Sequence, residues 1–268
     1  MVADLRSLLD DLVAESAALD AILEPLQPQQ WRLPTPAAGW SISDQVSHLA
    51  YFDETTLLSV VDPERFRRAA EALVAAGDDF PDRIAAEHRH LTGAELLAWF
   101  RTVRRDLLDG YADADPAQRL PWYGPDMGPA SSITARLMET WAHGQDIADA
   151  LGIERPASDR LRHVAHLGIR SRPYSYAVNG LPVPTEPIRV ELSGPGGDQW
   201  SWGPAEAGDR VTGTATDFCL VVTQRRHRSD TDLVVTGPAA TEWIAIAQAF
   251  AGPAGPGRTP MNAGRRRV

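Results

Sequence analysis

The sequence predicts an α-helical bundle followed by a small α+β domain, and two observations support this. Up to Leu151, four long segments carry apolar residues every three or four positions, which is the spacing of amphipathic helices. After Gly152, short segments of alternating apolar and polar residues follow one another with Gly and Pro between them, as is typical of strands and turns. The predicted fold class is therefore α then α+β, with an N-terminal up-and-down four-helix bundle.

The four helices of the bundle are bounded by local start and stop signals. Pro25 helps to end the first helix, and Ser41 or Ser43 can cap the second. A loop or short helix is expected over residues 63–77, and a linker over residues 116–129 leads into the fourth helix. The predicted long helices cover residues 4–26, 41–60, 92–111 and 131–151.

The region after Gly152 is predicted to begin with a helix and to continue as a sheet with helices against one face. The predicted helices cover residues 159–177, 215–225 and 239–250, and the predicted strands cover residues 188–192, 198–202, 210–214 and 232–236. The predicted domains are residues 1–155 for the bundle and residues 156–252 for the α+β domain. Residues 253–268, which include Arg265, Arg266 and Arg267, are expected to form a disordered tail.

Composition excludes several classes of function. The formal net charge of -10 argues against nucleic acid as a partner, because phosphate binding needs a concentrated basic surface. No apolar run approaches the roughly 20 residues of a membrane span. The N-terminus also lacks a signal-peptide layout, so we expect a cytoplasmic protein with no membrane partner. The single cysteine, Cys219, excludes an internal disulfide framework.

The basic residues are unusual in type. All 26 are arginine, a composition typical of a GC-rich bacterial genome. The absence of lysine removes Schiff-base and lysine general-base chemistry. Neither a Gly-rich phosphate loop nor a Gly-x-Ser-x-Gly motif occurs, so nucleotide-dependent and serine-hydrolase functions have no residues to carry them.

Glu139 and His143 are the most informative residues, because they lie four residues apart in a predicted helix and so project from one face. If the helix carrying His48 packs alongside, two nitrogens and one oxygen converge. That set suits a divalent metal, zinc first, with one coordination position left open. Asp146 lies on the same face and is expected to hold a ligand imidazole by its second nitrogen. The alternative is an ordinary exposed helix pair.

Three motifs join capping, aromatic and candidate ligand residues in one order. They are residues 39–49 (GWSISDQVSHL), residues 122–124 (WYG) and residues 139–146 (ETWAHGQD). Together they resemble the DinB-like metal-binding proteins and, more closely, the mycothiol-dependent maleylpyruvate isomerase family. The resemblance implies a zinc held by His48, Glu139 and His143. It also implies a sterol-carrier-like second domain, to which residues 210–237 are similar.

The resemblance further implies thiol chemistry, with mycothiol as the thiol cosubstrate. A zinc with three protein ligands can take a low-molecular-weight thiol in its open position and lower the thiol pKa, so that the thiolate adds to a small electrophile. Family members place an arginine after a helix of the second domain to receive an acidic group, a position that matches Arg225. The family's usual Gly before it is Gln224 here, so Arg226 and Arg228 stay as substitutes. A solvated helix end is the alternative for the whole cluster.

Further residues are candidates for binding the thiol. Trp122 and Tyr123 are expected to roof the pocket over the metal, although loop anchors packed on the bundle would look the same. Arg170 and Arg172, in the predicted helix after Gly152, are expected to contact mycothiol, whose sugar hydroxyls need polar partners.

Three classes of function remain open from the sequence. The first is a zinc-dependent thiol transferase or isomerase that uses mycothiol. The second is a zinc-dependent hydrolase in which Asp53, Glu54 or Asp146 relays a proton from metal-activated water. The third is a non-catalytic metal-binding protein. The expected partners are a small-molecule electrophile and a low-molecular-weight thiol, and the expected state is a monomer or a homodimer.

Overall fold

The structure of the protein is a computed structural model that describes residues 4–261. The chain divides between Arg155 and Pro156 into two compact units, which we call the bundle unit and the sheet unit. The helices of the bundle unit are α1 (Leu5–Leu23), α2 (Ile42–Val61), α3 (Pro63–Ala75), α4 (Phe80–Glu87), α5 (Gly93–Ala112) and α6 (Pro129–Leu151). The sheet unit contains α7 (Leu161–Arg170), α8 (Arg172–Val178), β1 (Ile188–Ser193), β2 (Gln199–Trp202), β3 (Asp209–Thr214), α9 (Ala215–Val222), β4 (Val234–Thr236) and α10 (Pro238–Ile246). The predicted fold class, α then α+β, is confirmed.

The four long helices of the bundle unit pack around one apolar core. α2 contacts α5 and α6, and α1 contacts the same two helices. Burying each aliphatic or aromatic side chain of such a core contributes about 1.5–3 kcal/mol. Because α2 and α6 are packed neighbours, side chains on their facing sides can converge. The core includes Leu19, Leu23, Ile42, Val46, Leu49, Leu96, Phe100 and Ile147, each at most 2% exposed.

The start of α2 is fixed by a capping box. The Ser41 side chain accepts a hydrogen bond from the backbone N–H of Asp44, whose carboxylate accepts one from the Ser41 N–H at 2.8 Å. The same carboxylate also accepts a hydrogen bond from Arg89 Nε at 2.8 Å. Ser41, and not Ser43, is therefore the cap, and α2 begins at Ile42.

α6 is the longest helix of the described chain, at 23 residues, and begins two residues before its predicted start. Pro129 occupies its first turn, where the missing N–H costs nothing. Gly152 ends it with a φ of 66°, in the left-handed region that favours glycine. Neither α6 nor any other helix within residues 4–261 combines the length and apolar character needed to cross a membrane.

The predicted single helix over residues 159–177 is wrong, because the structure has two helices there, α7 and α8, joined at Ser171. Pro173 has no N–H, and its ring would clash with the carbonyl of Ile169 in a continuous helix. The apolar periodicity continues through Pro173, so the periodicity alone does not predict the break between the two helices.

Other boundaries also differ from prediction. The expected loop or short helix over residues 63–77 is α3, a 13-residue helix whose first turn is capped by Asp62 through the Arg65 N–H at 3.0 Å. α4 has no counterpart among the predicted elements. α9 ends at Val222 instead of residue 225, because the chain turns there into a left-handed residue, Gln224.

The sheet unit contains a four-stranded mixed sheet in the order β2-β1-β3-β4. β1 runs antiparallel to β2 and parallel to β3, and β4 runs antiparallel to β3. Val190 of β1 pairs with Val211 of β3, and both side chains are buried. α9 packs against β1 and β3, and α10 packs against β3 and β4. The alternating burial along β1 therefore explains its alternating sequence.

The C-terminal segment is only partly described. Residues 253–260 form no helix or strand, and the backbone N–H of Met261 donates to Asp230 at 2.9 Å. The rest of the tail that the sequence predicts to be disordered, including Arg265, Arg266 and Arg267, lies outside the described residues.

Candidate metal centre

His48, Glu139 and His143 converge where α2 packs on α6. Oε2 of Glu139 lies 3.3 Å from Nε2 of His48 and 3.0 Å from Nε2 of His143. The three candidate ligand atoms lie within 4.8 Å of one another, and the side chains are 10–18% exposed. The convergence that the helical spacing indicates is therefore present, and solvent has partial access to it. The role of these residues as metal ligands stays a prediction.

The protonation of His48 and Glu139 suits a cation. Burial, together with the charge of His143, lowers the pKa of His48 to about 4, so its ring is neutral at pH 7. Burial acts to raise the pKa of Glu139, but hydrogen bonds and charge from the two histidines outweigh it and place the pKa well below its usual range. At neutral pH the cluster therefore holds a neutral imidazole and a carboxylate, and both present lone pairs.

The second nitrogen of His143 contacts Gln45 of α2 and not Asp146. Nδ1 of His143 lies within hydrogen-bond distance of Oε1 of Gln45, an amide oxygen that can only accept. Nδ1 of His48 is buried and has no hydrogen-bond partner in the described chain. The contact of His143 Nδ1 is thus with Gln45, and the predicted role of Asp146 in holding a ligand imidazole stays a prediction. Asp146 shares the helix face and is fully buried, but a residue of the facing helix occupies the nitrogen of His143.

This set of groups fits a divalent cation. With its Nδ1 proton directed at Gln45, the neutral form of the His143 ring has its lone pair on Nε2, which faces the cluster. The oxygen of Glu139 presents lone pairs to the same point, 3.0 Å away. Two such acceptors repel unless a proton or a cation lies between them. Two imidazoles and one carboxylate form a ligand set that zinc takes in catalytic sites, where a fourth position stays open.

Aromatic rings flank the two histidines. The ring of Trp40 stacks on His143 with centroids 5.9 Å apart and an interplanar angle of 13°. The ring of Phe52 lies 4.5 Å from that of His48. Trp40 is itself held by a hydrogen bond from its Nε1 to Asp82 of α4 at 2.6 Å. The rings restrict both imidazoles and limit the approach of water from these sides.

Trp122 and Tyr123 belong to an aromatic cluster that borders the site. Trp122 stacks on Phe66 of α3 with centroids 5.9 Å apart. Tyr123 lies 5.6 Å from Phe52, which in turn contacts His48. The loop therefore reaches the candidate ligands through one intervening ring. The predicted role of Trp122 and Tyr123 in binding a cofactor stays a prediction.

Asp53 lies in a buried ion cluster close to the candidate ligands in the chain, since Arg136 precedes Glu139 by one turn of α6. The Asp53 carboxylate accepts hydrogen bonds from Arg104 Nε at 2.7 Å and from Arg136 Nε at 3.0 Å. All three side chains are at most 4% exposed. Burial lowers the pKa of Arg104 although the charge of Asp53 acts to raise it. Because guanidinium groups occupy both of its oxygens, Asp53 does not fit the proton relay of the hydrolase alternative.

A second buried ion pair lies against Gly144, the residue that follows His143. Arg155 donates from Nη2 to Glu15 Oε1 at 2.6 Å and from Nη1 to the Trp141 carbonyl at 2.8 Å. A Cβ atom on Gly144 would lie 3.1 Å from Nη1 of Arg155, which is tighter than most Cβ contacts, so the guanidinium would have to shift by a few tenths of an ångström. Glycine at this position therefore lets Arg155 lie against α6.

Arg225 lies in the sheet unit, in a Schellman turn after α9. Its N–H donates to the Leu220 carbonyl at 2.7 Å, and the N–H of Gln224 donates to the Val221 carbonyl at 2.9 Å. Gln224 has a φ of 58°, in the left-handed region where this turn usually has glycine. The backbone that places Arg225 is therefore the one a glycine would adopt, even though the residue is glutamine.

We expect Gln224→Gly to be more stable than Gln224→Ala by about 1 kcal/mol, because only alanine has a Cβ that clashes in the left-handed region. Both variants lose the same hydrogen bond, from Gln224 Nε2 to the Ala247 carbonyl at 3.2 Å. Their comparison therefore isolates the backbone effect. Urea unfolding of both variants measures it, and a more stable alanine variant would contradict the turn.

Arg170 and Arg172 lie at the junction of α7 and α8. Arg172 donates from its two terminal nitrogens to the carbonyls of Glu186 at 3.1 Å and Pro184 at 3.3 Å, in the connector before β1. Arg170 is exposed at the last position of α7. Arg172 therefore stabilises the connector, whereas Arg170 faces solvent. The predicted contact of either residue with mycothiol stays a prediction.

Sequence reasoning misses the roles of Gln45 and Trp40, which both contact His143. The signal for Gln45 is a polar residue among core positions such as Val46 and Leu49. A buried amide needs hydrogen-bond partners, so a partner was predictable. Its identity was not, because His143 lies 98 residues further along the chain.

Two family models match the chain. A model described as the mycothiol maleylpyruvate isomerase N-terminal domain matches residues 12–148. A second, described as wyosine base formation, matches residues 184–236, which overlap most of the segment that the sequence likens to a sterol-carrier module. Two proteins of Mycobacterium tuberculosis, from strains CDC 1551 / Oshkosh and ATCC 25618 / H37Rv, are each 49% identical over 257 residues. The match covers 96% of this chain and 100% of theirs, and both are described as uncharacterized.

Solved structures share the fold. Crystal structures of a mycothiol-dependent maleylpyruvate isomerase and of its histidine-to-alanine variant align with TM-scores of 0.58 and 0.60. The alignments cover 89% of this chain and 96% of each neighbour, at 14% sequence identity. At that identity the similarity concerns the fold alone.

Proposed function

This chain belongs to the mycothiol maleylpyruvate isomerase N-terminal domain family, and from that membership we propose that it is a zinc-dependent enzyme that uses mycothiol. The proposed reaction is the transfer of the thiol to a small electrophile or the isomerisation of that electrophile. The family model covers the helices that carry the candidate ligands, which ties the proposal to a defined site.

The observation that supports this proposal best is the meeting of three candidate ligand atoms at one point. Glu139 Oε2 lies 3.0–3.3 Å from both Nε2 atoms, and the ring of His143 directs its Nδ1 proton away from the cluster. His48, Glu139 and His143 would hold the metal. A zinc held by these three residues would have a fourth position for a substrate, as in catalytic zinc sites.

Zinc bound there would lower the pKa of a coordinated thiol, so that the thiolate is available at neutral pH. The side chains of the protein do the rest. Trp40 and Phe52 cover the two imidazoles and limit access of water. Arg225 is proposed to receive an acidic group of the electrophile, because a guanidinium binds a carboxylate through two parallel hydrogen bonds.

Residues of each unit are proposed separately as contacts for the thiol. Trp122 and Tyr123 offer aromatic surface, and the exposed Arg170 offers charged donors to sugar hydroxyls. Arg172 is less well suited, because its terminal nitrogens already donate to backbone carbonyls.

The experiment that tests this function is incubation of zinc-loaded protein with mycothiol and a panel of small electrophiles that includes maleylpyruvate, with products identified by mass spectrometry. Parallel reactions omit the thiol or the metal. A mycothiol adduct or an isomerised product that needs both supports the proposal. Turnover without thiol would establish the hydrolase alternative instead, and no turnover on any electrophile would favour a non-catalytic metal-binding protein.

A further inference from the structure

We infer that Gln45 is a positioning residue that keeps the proton of His143 on Nδ1 and so leaves Nε2 free to bind a metal. The inference rests on the proposed metal site and goes beyond it, because it assigns the control of one ligand to an amide on the facing helix. It follows from the direction of each hydrogen bond in a short chain of side chains that ends on the backbone.

The chain of hydrogen bonds begins at a backbone carbonyl, whose direction is unambiguous. The hydroxyl of Thr35 donates to the carbonyl of Trp40 at 2.9 Å, and the carbonyl can only accept. The N–H of Thr35 donates to the same carbonyl at 2.8 Å, which anchors the residue. The single hydroxyl proton of Thr35 is therefore used, and its oxygen can act only as an acceptor toward other neighbours.

The second step fixes the orientation of the Gln45 amide. Its Nε2 lies 2.8 Å from the hydroxyl oxygen of Thr35. If the amide were reversed, its carbonyl would face an oxygen that has no proton left to donate. The NH₂ group must therefore face Thr35, and the amide oxygen must face His143.

The third step fixes the proton of His143. An amide oxygen can only accept, so Nδ1 of His143, which contacts it, must carry a proton. In the neutral ring the lone pair then lies on Nε2, the atom that faces Glu139 at 3.0 Å. Gln45 is fully buried, and a hydrogen bond away from water holds its partner more firmly than an exposed one.

His48 provides an internal contrast. Its Nδ1 has no hydrogen-bond partner in the described chain, so the ring is held by the contact of Nε2 with Glu139 at 3.3 Å and by packing against rings such as Phe52. Of the two imidazoles, the one on α6 is thus fixed by hydrogen bonding from the opposite helix. Because an amide is neutral, this control adds no negative charge to the cluster, unlike the carboxylate that often holds a metal-binding histidine.

The test compares Gln45→Leu, which removes the acceptor at similar volume, with Gln45→Glu, which keeps one. Long-range ¹H–¹⁵N NMR of histidine-labelled, metal-free protein reports whether Nδ1 of His143 carries a proton. We expect a protonated Nδ1 in the wild type and in Gln45→Glu, and an unprotonated one in Gln45→Leu. Zinc affinity, measured by chelator competition, should fall roughly 10 to 100-fold in Gln45→Leu only.

Two further variants separate this role from a general packing defect. Gln145→Leu makes the same change two residues from His143, at a side chain that donates to Asp149 at 2.9 Å, and should match the wild type in both measurements. Thr35→Val leaves Gln45 in place but frees its amide to flip, so we expect a mixture of His143 tautomers. If Gln45→Leu does not fold, this variant tests the role of Gln45 instead.

The outcomes of these measurements distinguish failure of the inference from failure of the proposed metal site. A proton retained on Nδ1 with unchanged zinc affinity in Gln45→Leu, or an unmixed wild-type tautomer in Thr35→Val, would overturn the inference. If the wild type binds no zinc, the proposed metal site fails, while the tautomer in metal-free protein still decides the role of Gln45.

Discussion

His143→Ala should lower zinc affinity by more than about 100-fold, beyond the 10 to 100-fold that loss of an outer hydrogen bond costs. The substitution removes one of three candidate ligand atoms that lie within 4.8 Å of one another. His48→Ala and Glu139→Ala should act in the same way. Metal content after dialysis against weak chelator, measured by mass spectrometry, gives about one zinc per chain for the wild type and little for the variants.

The matched control for this prediction is His90→Ala. His90 is an exposed histidine of the same unit, and its Nδ1 contacts the Glu87 carbonyl at 2.8 Å. Its replacement should leave zinc content unchanged. Wild-type zinc content in all three ligand variants would remove the metal centre from the proposed function.

Asp53→Asn should destabilise the bundle unit by about 3–5 kcal/mol, the usual cost of leaving a buried charge without its partner. Arg104 and Arg136 would both remain buried, at 3–4% side-chain exposure, with no carboxylate between them. Urea unfolding of the metal-free protein measures the loss without contribution from bound zinc.

Asp106→Asn is the control for the Asp53 substitution. Asp106 is 46% exposed and pairs with its neighbour Arg105, so its loss should change stability by about 0.5 kcal/mol or less. A loss below about 1 kcal/mol for Asp53→Asn, against the 3–5 expected for a buried pair, would mean that water enters the cluster or that the arginines rearrange.

The sequence was sufficient for the features that depend on neighbours along the chain. Apolar spacing located α2 and α6, and the four-residue interval from Glu139 to His143 placed both on one face. Turn residues located the strands to within two residues. These features follow from local geometry, which a helix or strand imposes wherever it occurs.

The features that could not be predicted depend on which helices pack together and on how far each is shifted along its axis relative to the other. Asp53 finds its two arginines 51 and 83 residues away. Asp146 was the nearest acid to His143 in the sequence, but the packing of α2 on α6 brought Gln45 to the ring nitrogen instead. Periodicity gives the face of a helix and not its partner, so such contacts needed the structure.

Gln224 shows a different limit. Judged by residue type, it departs from the glycine that the family resemblance leads one to expect, and this departure cast doubt on Arg225. Its backbone, however, has the conformation that a glycine would adopt there, with a φ of 58° and both hydrogen bonds of the turn. A left-handed residue is usually glycine but not always, so residue type alone understates the similarity.

His143 and Gly144 are adjacent in the sequence, but each is constrained by a different part of the structure. The histidine is one of the candidate ligands, whereas the glycine accommodates the close approach of Arg155, which is paired with Glu15. A relative that lacks the arginine can therefore accept a larger residue in place of the glycine without losing the candidate ligands. Across the family, the histidine should therefore be conserved together with Glu139, and the glycine should be conserved together with Arg155, independently of each other.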